Sequence, residues 1–385
     1  MNTIKSKKIA IVGGGPGGLT LARILQMNGA DVKVYERDMN RNARAQGATL
    51  DLHEESGLLA LKEAELMDAF EAAYRPGADK MRVTDRNGTI IWDDDNADHT
   101  RNMSRPEIDR GPLQALLLDS LQPGTVEWNS HFAALSAQGD GWKLEFKNGN
   151  SAYADIVIGA DGANSKIRPY ITPIKPFYAG VTAVEGAVYN AETTSPKVYT
   201  LLNGGKIFAM GDEKTFIVSS KGDGSLMFYT SIKTGEQWSR ESKIDFSDKP
   251  QVLAWFKEEY KGWDSIWQEL FENATTPFIP RPLYCMPLDQ HWEAMPNLTL
   301  LGDAAHLMPP FAGEGVNMAM LDALELGKSL LTEDFPDTLS AIAAYEQQMR
   351  IRASETAKDT LVSTEALHSA DAISFLLAVM GQQMP

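Results

Sequence analysis

Three glycines between a short apolar run and a stretch with helical periodicity restrict the fold of this chain more than any other feature. KIAIVGGGPGGLTLARILQMNG predicts a buried strand over residues 8–12, a turn with Gly13, Gly15 and Gly18 in the spacing Gly-x-Gly-x-x-Gly, and a helix. DVKVYE, residues 31–36, predicts a second strand. Two strands joined by a helix within roughly 30 residues indicate the opening of a parallel sheet.

Each part of this turn suits a dinucleotide. Gly13 permits the tight turn, Gly15 lets the backbone approach a pyrophosphate, and Gly18 lets the helix pack closely on the strand. The helix would begin at Pro16 and Gly17, where free N–H groups and about half a positive charge attract phosphates. A glycine turn with a purely structural purpose is the alternative.

An acidic residue follows at the end of the second strand. There the Glu36 carboxylate can accept hydrogen bonds from the hydroxyls of an adenosine ribose. The same charge would repel a ribose 2′-phosphate, so this motif disfavours NADP. NAD and FAD both stay open at this point.

The stretch LLGDAAHLMPPFAGEGVNMAM narrows that choice. Asp303 follows an apolar strand and can bind the hydroxyls of an extended polyol, while Gly313 and Gly315 let the main chain pass close to a flat ring. A helix predicted from Val316 would direct its N-terminus at that ring. Because a reduced flavin is anionic and a nicotinamide is not, this arrangement favours FAD.

Composition excludes other classes of ligand. The chain has 385 residues, a net charge of -16 and a sequence pI of about 4.9, so nucleic acids and anionic membranes are not expected partners. With Cys285 as its only cysteine, it can form no internal disulfide. The apolar run at 373–380 is too short to span a bilayer, the N-terminus does not resemble a signal peptide, and no His or Cys spacing indicates a metal site. We expect a cytoplasmic monomer.

The predicted secondary structure changes along the chain from a parallel strand–helix–strand unit to antiparallel strands. Residues 79–93 predict a hairpin, and residues 181–233 predict an antiparallel meander with strands in KVYTLLNGGKIFAM, KTFIVSS and SLMFYTSIK. A helix with a core-facing aromatic stripe is predicted over 252–270. We therefore predict an α/β fold: a Rossmann-like FAD-binding domain (1–73, 96–178, 276–350), an inserted antiparallel β-sheet substrate domain (74–95, 179–275) and a C-terminal bridging helix (351–385).

Three motifs in this order resemble those of the class A aromatic hydroxylases, which depend on FAD and NAD(P)H. They are the glycine turn with Glu36-Arg37, Asp161 inside DIVIGADGANSKIR, and Gly302-Asp303 inside LLGDAAHLMPPFAGEGVN. More narrowly, VYERD, GATLDLH, PEIDR, GDAAHLMPPFAG and AYEQQM resemble the tetracycline-inactivating monooxygenases of the TetX type. The resemblance implies a glutathione-reductase-like FAD fold of the p-hydroxybenzoate-hydroxylase type.

The resemblance also implies roles for individual residues. Arg37 and Arg110 would contact FAD, Asp161 would serve both FAD and NAD(P)H, and Asp303 would bind the ribityl–pyrophosphate region. The cofactor residues predicted in all are Gly13, Gly15, Pro16, Gly17, Gly18, Glu36, Arg37, Arg110, Asp161, Gly302, Asp303, Pro310, Gly313, Gly315, Val316 and Asn317.

The reaction that the resemblance implies depends on the cofactor, with no catalytic side chain. NADPH or NADH would dock transiently and reduce FAD, and O₂ would then yield a flavin hydroperoxide that hydroxylates a small-molecule substrate. Pro310, Phe311 and Gly313 would form a wall beside the flavin, with Phe311 touching the substrate. Such a wall must exclude water.

The substrate itself is less well defined. An ungapped match to the tetracycline enzymes puts Glu185 where that family has an amide, Lys206 where it has a guanidinium and Met227 where it has an imidazole. We therefore expect tetracycline in a shifted pose or another polycyclic phenol or enol. A flavoprotein dehydrogenase or saturase without oxygenation, and an idle or regulatory flavin-binding module, are the alternatives.

Three polar side chains near these motifs are predicted to have no chemical role. His306 is expected to be a packed turn residue and His53 a loop or cap residue. Glu314 is expected to point outward, since a carboxylate beside an anionic flavin is unfavourable.

Overall fold

The strands in the described part of the chain range from two to twelve residues in length. In a computed structural model that describes residue 4 and residues 6–43, 49–95 and 105–383, the strands are β1 Lys8–Val12, β2 Asp31–Tyr35, β3 Thr49–Asp51, β4 Met81–Asp85, β5 Ile90–Asp93, β6 Glu107–Asp109, β7 Val126–Glu127, β8 Phe132–Gln138, β9 Gly141–Phe146, β10 Ser151–Ala154, β11 Ile156–Gly159, β12 Phe177–Val188, β13 Lys206–Gly211, β14 Lys214–Ser220, β15 Leu226–Lys233, β16 Thr275–Cys285 and β17 Leu298–Leu300.

The helices lie mostly on the faces and at the ends of these sheets. They are α1 Pro16–Met27, α2 Gly57–Glu63, α3 Met67–Glu71, α4 Arg110–Asp119, α5 Ala191–Thr194, α6 Pro196–Leu202, α7 Trp238–Glu241, α8 Lys249–Glu259, α9 Gln268–Asn273, α10 Asp303–His306, α11 Gly315–Leu331, α12 Thr338–Leu367 and α13 Ala372–Gln383, with 3₁₀ turns at Arg168–Tyr170, Ser265–Trp267 and Pro310–Ala312.

A five-stranded parallel sheet carries the glycine turn. Its strand order is β17-β11-β1-β2-β7, and every pairing within it is parallel. Residues 9–12 of β1 are all buried, as expected for a strand covered on both faces. The helix α1 connects β1 to β2, which gives the predicted strand–helix–strand unit.

A seven-stranded sheet forms the second layer of the molecule. Its order is β16-β12-β15-β14-β13-β4-β5, so the hairpin β4–β5 joins it from an earlier part of the chain. In this order, each strand from β16 to β13 runs antiparallel to its neighbour, whereas β13 and β4 run parallel. The α/β fold class with a Rossmann-like sheet and an inserted, mainly antiparallel substrate domain is confirmed.

The meander prediction was wrong in one segment. KVYTLL belongs to α6, in which Val198 and Leu202 are buried four residues apart on one face. Pro196 begins this helix, where its fixed φ angle and missing N–H cost nothing, and Asn203 ends it in the left-handed conformation. The strand signal therefore starts only at Lys206.

The aromatic stripe at 252–270 is part of the core, but it does not lie on one helix. The helix α8 ends at Glu259, and Gly262, with φ of +91°, turns the chain before a 3₁₀ turn and α9. Phe256, Tyr260 and Trp267 are still buried, against one face of the seven-stranded sheet. The pattern predicted burial correctly and the continuity of the helix wrongly.

The C-terminal helices connect the two sheets. The 30-residue α12 packs along α11, and α13 packs on β13 of the seven-stranded sheet. Because α12 begins at Thr338, it includes residues on both sides of the predicted boundary at residue 351. Within the described ranges, no helix has the length and apolar character needed to cross a bilayer.

We predict that Phe216→Ala lowers the free energy of unfolding by about 3–5 kcal/mol. The Phe216 ring is fully buried and lies 5.2–5.8 Å, between centroids, from the rings of Phe228, Phe256 and Trp267. Chemical denaturation followed by tryptophan fluorescence measures the change. Val362→Ala, at a position 54% exposed, is the control and should shift stability by no more than about 0.5 kcal/mol. A loss below about 1 kcal/mol for Phe216→Ala would contradict this account of the core.

Candidate functional site

Three loops meet at one edge of the parallel sheet. Val12 of β1 pairs with Gly159 of β11, which pairs in turn with Leu300 of β17. Because these neighbouring strands are parallel, the segments that follow them emerge side by side. Those segments are the glycine turn, the Asp161 motif and the Gly302-Asp303 motif.

The glycine turn is closed on its inner side and open on its outer side. Gly13 has φ of +116°, and a Cβ there would lie 2.2 Å from the carbonyl oxygen of Ala160. A Cβ on Gly18 would lie 2.2 Å from the carbonyl oxygen of Gly13. Beside Gly15, which precedes α1, a Cβ would meet no described atom within 4 Å. The backbone can therefore approach a pyrophosphate at Gly15, next to the N-terminus that begins at Pro16.

The structure gives Gly17 a packing position. A Cβ on Gly17 would lie 2.7 Å from the carbonyl oxygen of Ala319 and 2.8 Å from a methyl group of Leu301. The bare α-carbon thus lets α1 lie against α11. The predicted contact of Gly17 with a cofactor stays a prediction for its backbone N–H, since its side-chain position faces another helix.

Glu36 is buried directly beneath the glycine turn. Its Oε2 accepts a hydrogen bond of 2.6 Å from the backbone N–H of Gly14, and its Oε1 accepts one of 3.0 Å from that of Asp38. These bonds hold the carboxylate at the edge where an adenosine ribose would lie. Arg37 is exposed next to it.

Hydrogen bonds from an arginine connect the Asp161 motif to the Gly302-Asp303 motif. Oδ2 of Asp161 accepts hydrogen bonds from the backbone N–H groups of Lys166 and Ile167, and its Oδ1 is buried without a partner among the described residues. Arg168, which is 6% exposed, donates to the carbonyl oxygens of Asp303 at 2.8 Å and Ala304 at 2.6 Å. The sequence motif does not reveal this role of Arg168, because its partners lie far along the chain.

A buried carboxylate positions the third motif. Oδ2 of Asp322 accepts hydrogen bonds from the backbone N–H of Gly302 at 2.9 Å and from Nε2 of His306, while its Oδ1 accepts from Arg352 at 2.8 Å. Burial opposes ionisation of Asp322, but His306 and Arg352 outweigh it and hold the pKa of Asp322 below its usual value. His306 is therefore a packed residue, as predicted. Asp322 was missed, since a helical Asp looks solvent-facing in sequence.

Asp303 projects toward the start of α11. Its Oδ1 lies 4.0 Å from the position of a Cβ on Gly315, and none of the described residues donates a hydrogen bond to its side chain. Burial raises the pKa of Asp303, while the charges of His306, Arg110 and Arg168 act in the opposite direction. Asp303 and Arg110 thus come together, as expected of two residues that share a ligand.

The N-terminus of α11 is presented by a rigid turn. Pro310 opens a 3₁₀ turn that Gly313 ends with φ of +73°. A Cβ on Gly313 would lie 3.2 Å from Oδ1 of Asp51. Among the residues that the structure describes, no side chain caps α11, and its first turn contains no acid. The N–H groups at Gly315 and Val316 therefore lie without a side-chain cap next to Asp303.

The Asn317 side chain makes its hydrogen bonds within the protein. Its Nδ2 donates to the carbonyl oxygens of Asp51 at 2.9 Å and Gly313 at 3.3 Å, and its Oδ1 accepts from the backbone N–H of His53 at 2.9 Å. The Asn317 amide therefore ties α11 to β3. Only its backbone N–H could serve a cofactor.

Glu314 turns inward, in contrast to the prediction. Its Oε1 lies 3.5 Å from Nδ1 of His53, within a group of charges that includes Asp51 and Arg105. Burial raises the pKa of Glu314, the charges of His53 and Arg105 lower it, and that of Asp51 raises it. His53 is buried, as expected of a packed loop residue.

Three predicted substrate residues lie on one face of the seven-stranded sheet. Lys206 on β13 is in register with Ser219 on β14, which is in register with Met227 on β15. Glu185 on β12 is in register, across β15 and β14, with Phe208, which follows Lys206 by two residues on β13. Side chains two apart on a strand share a face. Lys206 forms an ion pair with Glu107, Glu185 forms one with Arg281, and Met227 is buried.

An apolar cluster joins this face to the turn before α11. The Phe311 ring lies 5.1 Å from that of His368 at an interplanar angle of 74°, and Phe311 packs with Met210 and Leu367. Nε2 of His368 lies 2.8 Å from the hydroxyl of Ser231 on the same face. Phe311 is thus situated between the parallel sheet and the substrate-facing surface.

The hydrogen-bonding groups along this edge match the successive parts of FAD. Glu36 offers acceptors for a ribose, the α1 N-terminus offers N–H groups for a pyrophosphate, Asp303 offers acceptors for a polyol, and the α11 N-terminus offers a positive dipole for an anionic ring. A buried, unpartnered carboxylate oxygen on Asp161 at the same edge adds a further free acceptor. Across the described ranges, no cluster of His, Cys, Asp and Glu could hold a metal ion.

Comparison with known proteins agrees with this geometry. A family model described as an FAD binding domain matches residues 6–249 and 289–357. The monooxygenase penA of Penicillium thymicola is 27% identical over 92% of this chain and 93% of its own length.

Solved structures share the fold at lower identity. HpxO of Klebsiella pneumoniae, in complex with FAD and uric acid, has a TM-score of 0.76 with 22% identity and covers 99% of this chain and 93% of its own. The tetracycline destructase Tet(51) has a TM-score of 0.73 with 18% identity and covers 98% of this chain and 96% of its own. The chain therefore belongs to the FAD binding domain family and is an FAD-dependent oxidoreductase of the monooxygenase class.

Proposed function

We propose that the enzyme uses NADPH or NADH to reduce FAD and then transfers one oxygen atom of O₂ to a fused-ring phenol or enol. The observation that carries this proposal is the free carboxylate of Asp303 beside the uncapped N-terminus of α11. An acid for the ribityl hydroxyls and a positive dipole for the anionic ring then lie within one short segment. That combination suits a flavin and not a nicotinamide.

The side chains of the chain bind, orient and exclude water. FAD, when bound, supplies the hydride acceptor and the oxygen-transfer chemistry. Asp161 and Arg110 are proposed to hold FAD, with Asp161 also available to the transient nicotinamide. Phe311, packed with Met210 and Leu367, gives the reacting edge an apolar wall that keeps out water.

Tetracycline is the first substrate to test. The segments PEIDR, GDAAHLMPPFAG and AYEQQM, which resemble those of the tetracycline-inactivating enzymes, support it. The pairing of Lys206 with Glu107 and of Glu185 with Arg281 leaves neither residue free to copy the amide and guanidinium of that family. These ion pairs support either a shifted pose of tetracycline or another polycyclic phenol or enol.

The remaining features of the proposal concern organisation. We infer a substrate-binding domain formed by residues 74–95 and 179–275 and an FAD-binding domain formed by residues 1–73, 96–178 and 276–350. One boundary moves from residue 275 to residue 285, because β16 Thr275–Cys285 pairs with β12 in the seven-stranded sheet. We infer further that the enzyme acts as a monomer in the cytoplasm, where its single buried cysteine, Cys285, needs no partner.

We predict that Asp303→Ala weakens FAD binding by about 1–3 kcal/mol, because a charge-assisted contact to the ribityl chain is lost. Fluorescence titration of the apoprotein with FAD measures the dissociation constant. Asp289→Ala, at an exposed acid on the preceding segment, is the matched control and should leave the affinity unchanged. Equal affinities for Asp303→Ala and the wild type would show that this carboxylate does not hold FAD.

We predict that tetracycline or a related fused-ring phenol gains the mass of one oxygen atom, with the label of ¹⁸O₂ in the product. Mass spectrometry of the product, with NADPH oxidation followed in parallel, makes the measurement. Oxidation of NADPH that accompanies chemical change of the substrate without label would identify a dehydrogenase or saturase instead. Flavin reduction with every tested substrate unchanged would indicate an idle flavin-binding module.

A further inference from the structure

An ion pair links the substrate-facing sheet to the two-stranded ribbon formed by β3 and β6. Nζ of Lys206 on β13 donates to Oε1 of Glu107 on β6. The Lys206 side chain is 17% exposed, whereas the Glu107 side chain is 2% exposed. Lys206 thus connects a buried carboxylate to the sheet face that it shares with Met227.

Glu107 has unused capacity to accept a proton. Its Oε2 is buried without a hydrogen-bond partner among the described residues. Burial raises the pKa of Glu107, the charge of Lys206 opposes that rise, and the charge of Asp51 adds to it. A carboxylate that is shielded from water and only half satisfied gains when it is protonated.

The neighbouring carboxylate has the opposite tendency. Asp51 pairs with Glu107 across the ribbon, and its Oδ1 faces the Gly313 turn. Burial opposes its ionisation, but a hydrogen bond from His53 and the charges of Lys206 and Arg105 lower the pKa of Asp51 to about 2.

The two acids are thus separated in strength by their surroundings. With pKa values shifted in opposite directions, Asp51 remains a fixed negative charge and Glu107 is the acid suited to accept a proton. Asp51 stays ionised near neutral pH. His53 contacts Asp51 and also contacts Glu314. Glu107 is the group next to Lys206 that can take up a proton.

We propose that Glu107, acting through Lys206, accepts the proton of the substrate hydroxyl and so generates the phenolate or enolate that is oxidised. Lys206 passes one N–H proton to Oε1 of Glu107, and its free amine accepts the proton of the substrate hydroxyl. The O–H bond breaks, its electron pair stays on the substrate oxygen, and the regenerated ammonium pairs with that anion. The inference rests on the proposed function, since it names the substrate class of the same site.

The proposal gives a reason for a lysine at this position. A guanidinium keeps its protons in proteins, whereas an ammonium with a buried neighbour can release one. Lys206→Arg should therefore bind an oxyanion but fail to relay the proton. The site should also select ligands that carry an acidic hydroxyl over their methyl ethers.

Alizarin, a fused-ring phenol whose colour changes on ionisation, is a suitable probe. We expect the FAD-loaded enzyme without NAD(P)H to bind alizarin as its anion, with an apparent pKa at least one unit below that of free alizarin, about a tenfold shift in the ionisation constant. Visible difference spectra across a pH series measure it. Alizarin dimethyl ether should bind at least about tenfold more weakly.

Variants separate the two partners. Glu107→Gln leaves the substrate proton no acceptor on the enzyme, so binding of alizarin as its anion should release a proton to the buffer, whereas the wild type should release none. Lys206→Met should weaken binding about tenfold or more. Lys206→Arg should keep affinity while releasing the substrate proton to the buffer, because a guanidinium cannot pass it to Glu107. Calorimetric titration in two buffers of different ionisation enthalpy, at a pH below the pKa of free alizarin, detects that release. Lys233→Met, at an exposed lysine of the same sheet, is the control and should match the wild type.

Several outcomes would overturn the proposal. They are no binding of alizarin, binding in its neutral form, equal affinity for the ether, and equal proton release by Glu107→Gln and the wild type. Retained FAD shows that a variant is folded, and Lys206→Arg decides the question if Glu107→Gln loses FAD. The alizarin titration needs neither NAD(P)H nor O₂, so it tests this site independently of oxygenation. If alizarin ionises on the enzyme but no product carries the ¹⁸O label, the proposed oxygenation is refuted and the proton-accepting site is not.

Discussion

The buried carboxylate of Asp322 is the contact on which the site depends. From α11, it accepts hydrogen bonds from the backbone of Gly302, from His306 on α10 and from Arg352 on α12. Gly302 adopts φ of +60° and ψ of −146°, a conformation that is costly for any residue with a side chain. By fixing this turn, Asp322 determines where Asp303 and the α11 N-terminus lie. A charge buried with three partners costs much less than one buried alone.

Two layers with different chemistry then meet across that turn. The parallel sheet brings its three loops to one edge, where backbone N–H groups and carboxylates suit a charged, extended cofactor. The seven-stranded sheet offers a face with Met227, Phe208 and the Lys206–Glu107 pair, which suits an apolar ring with an acidic group. Phe311, between them, belongs to a turn that the first layer holds rigid.

The parts of the fold that depend on local sequence could be predicted. The glycine spacing, the buried strand at 8–12 and Glu36 each follow from short-range rules of turn geometry and periodicity, and each is present. The α6 segment was misassigned because KVYTLL satisfies a strand pattern as well as a helix pattern, and only Pro196 distinguishes them. Arg168 and Asp322 could not be found, since their partners lie at distant positions or on another helix. The inward turn of Glu314 has the same origin, because His53 and Arg105 come from a distant strand and loop.

The flavin content of the purified wild-type protein tests the central claim most directly. Denaturation of a known amount of folded protein, followed by chromatography and absorption spectroscopy of the released material, gives the identity and stoichiometry of the bound nucleotide. This account predicts FAD, at close to one molecule per chain after incubation with excess FAD. A fully folded, colourless protein that takes up no added FAD would contradict it.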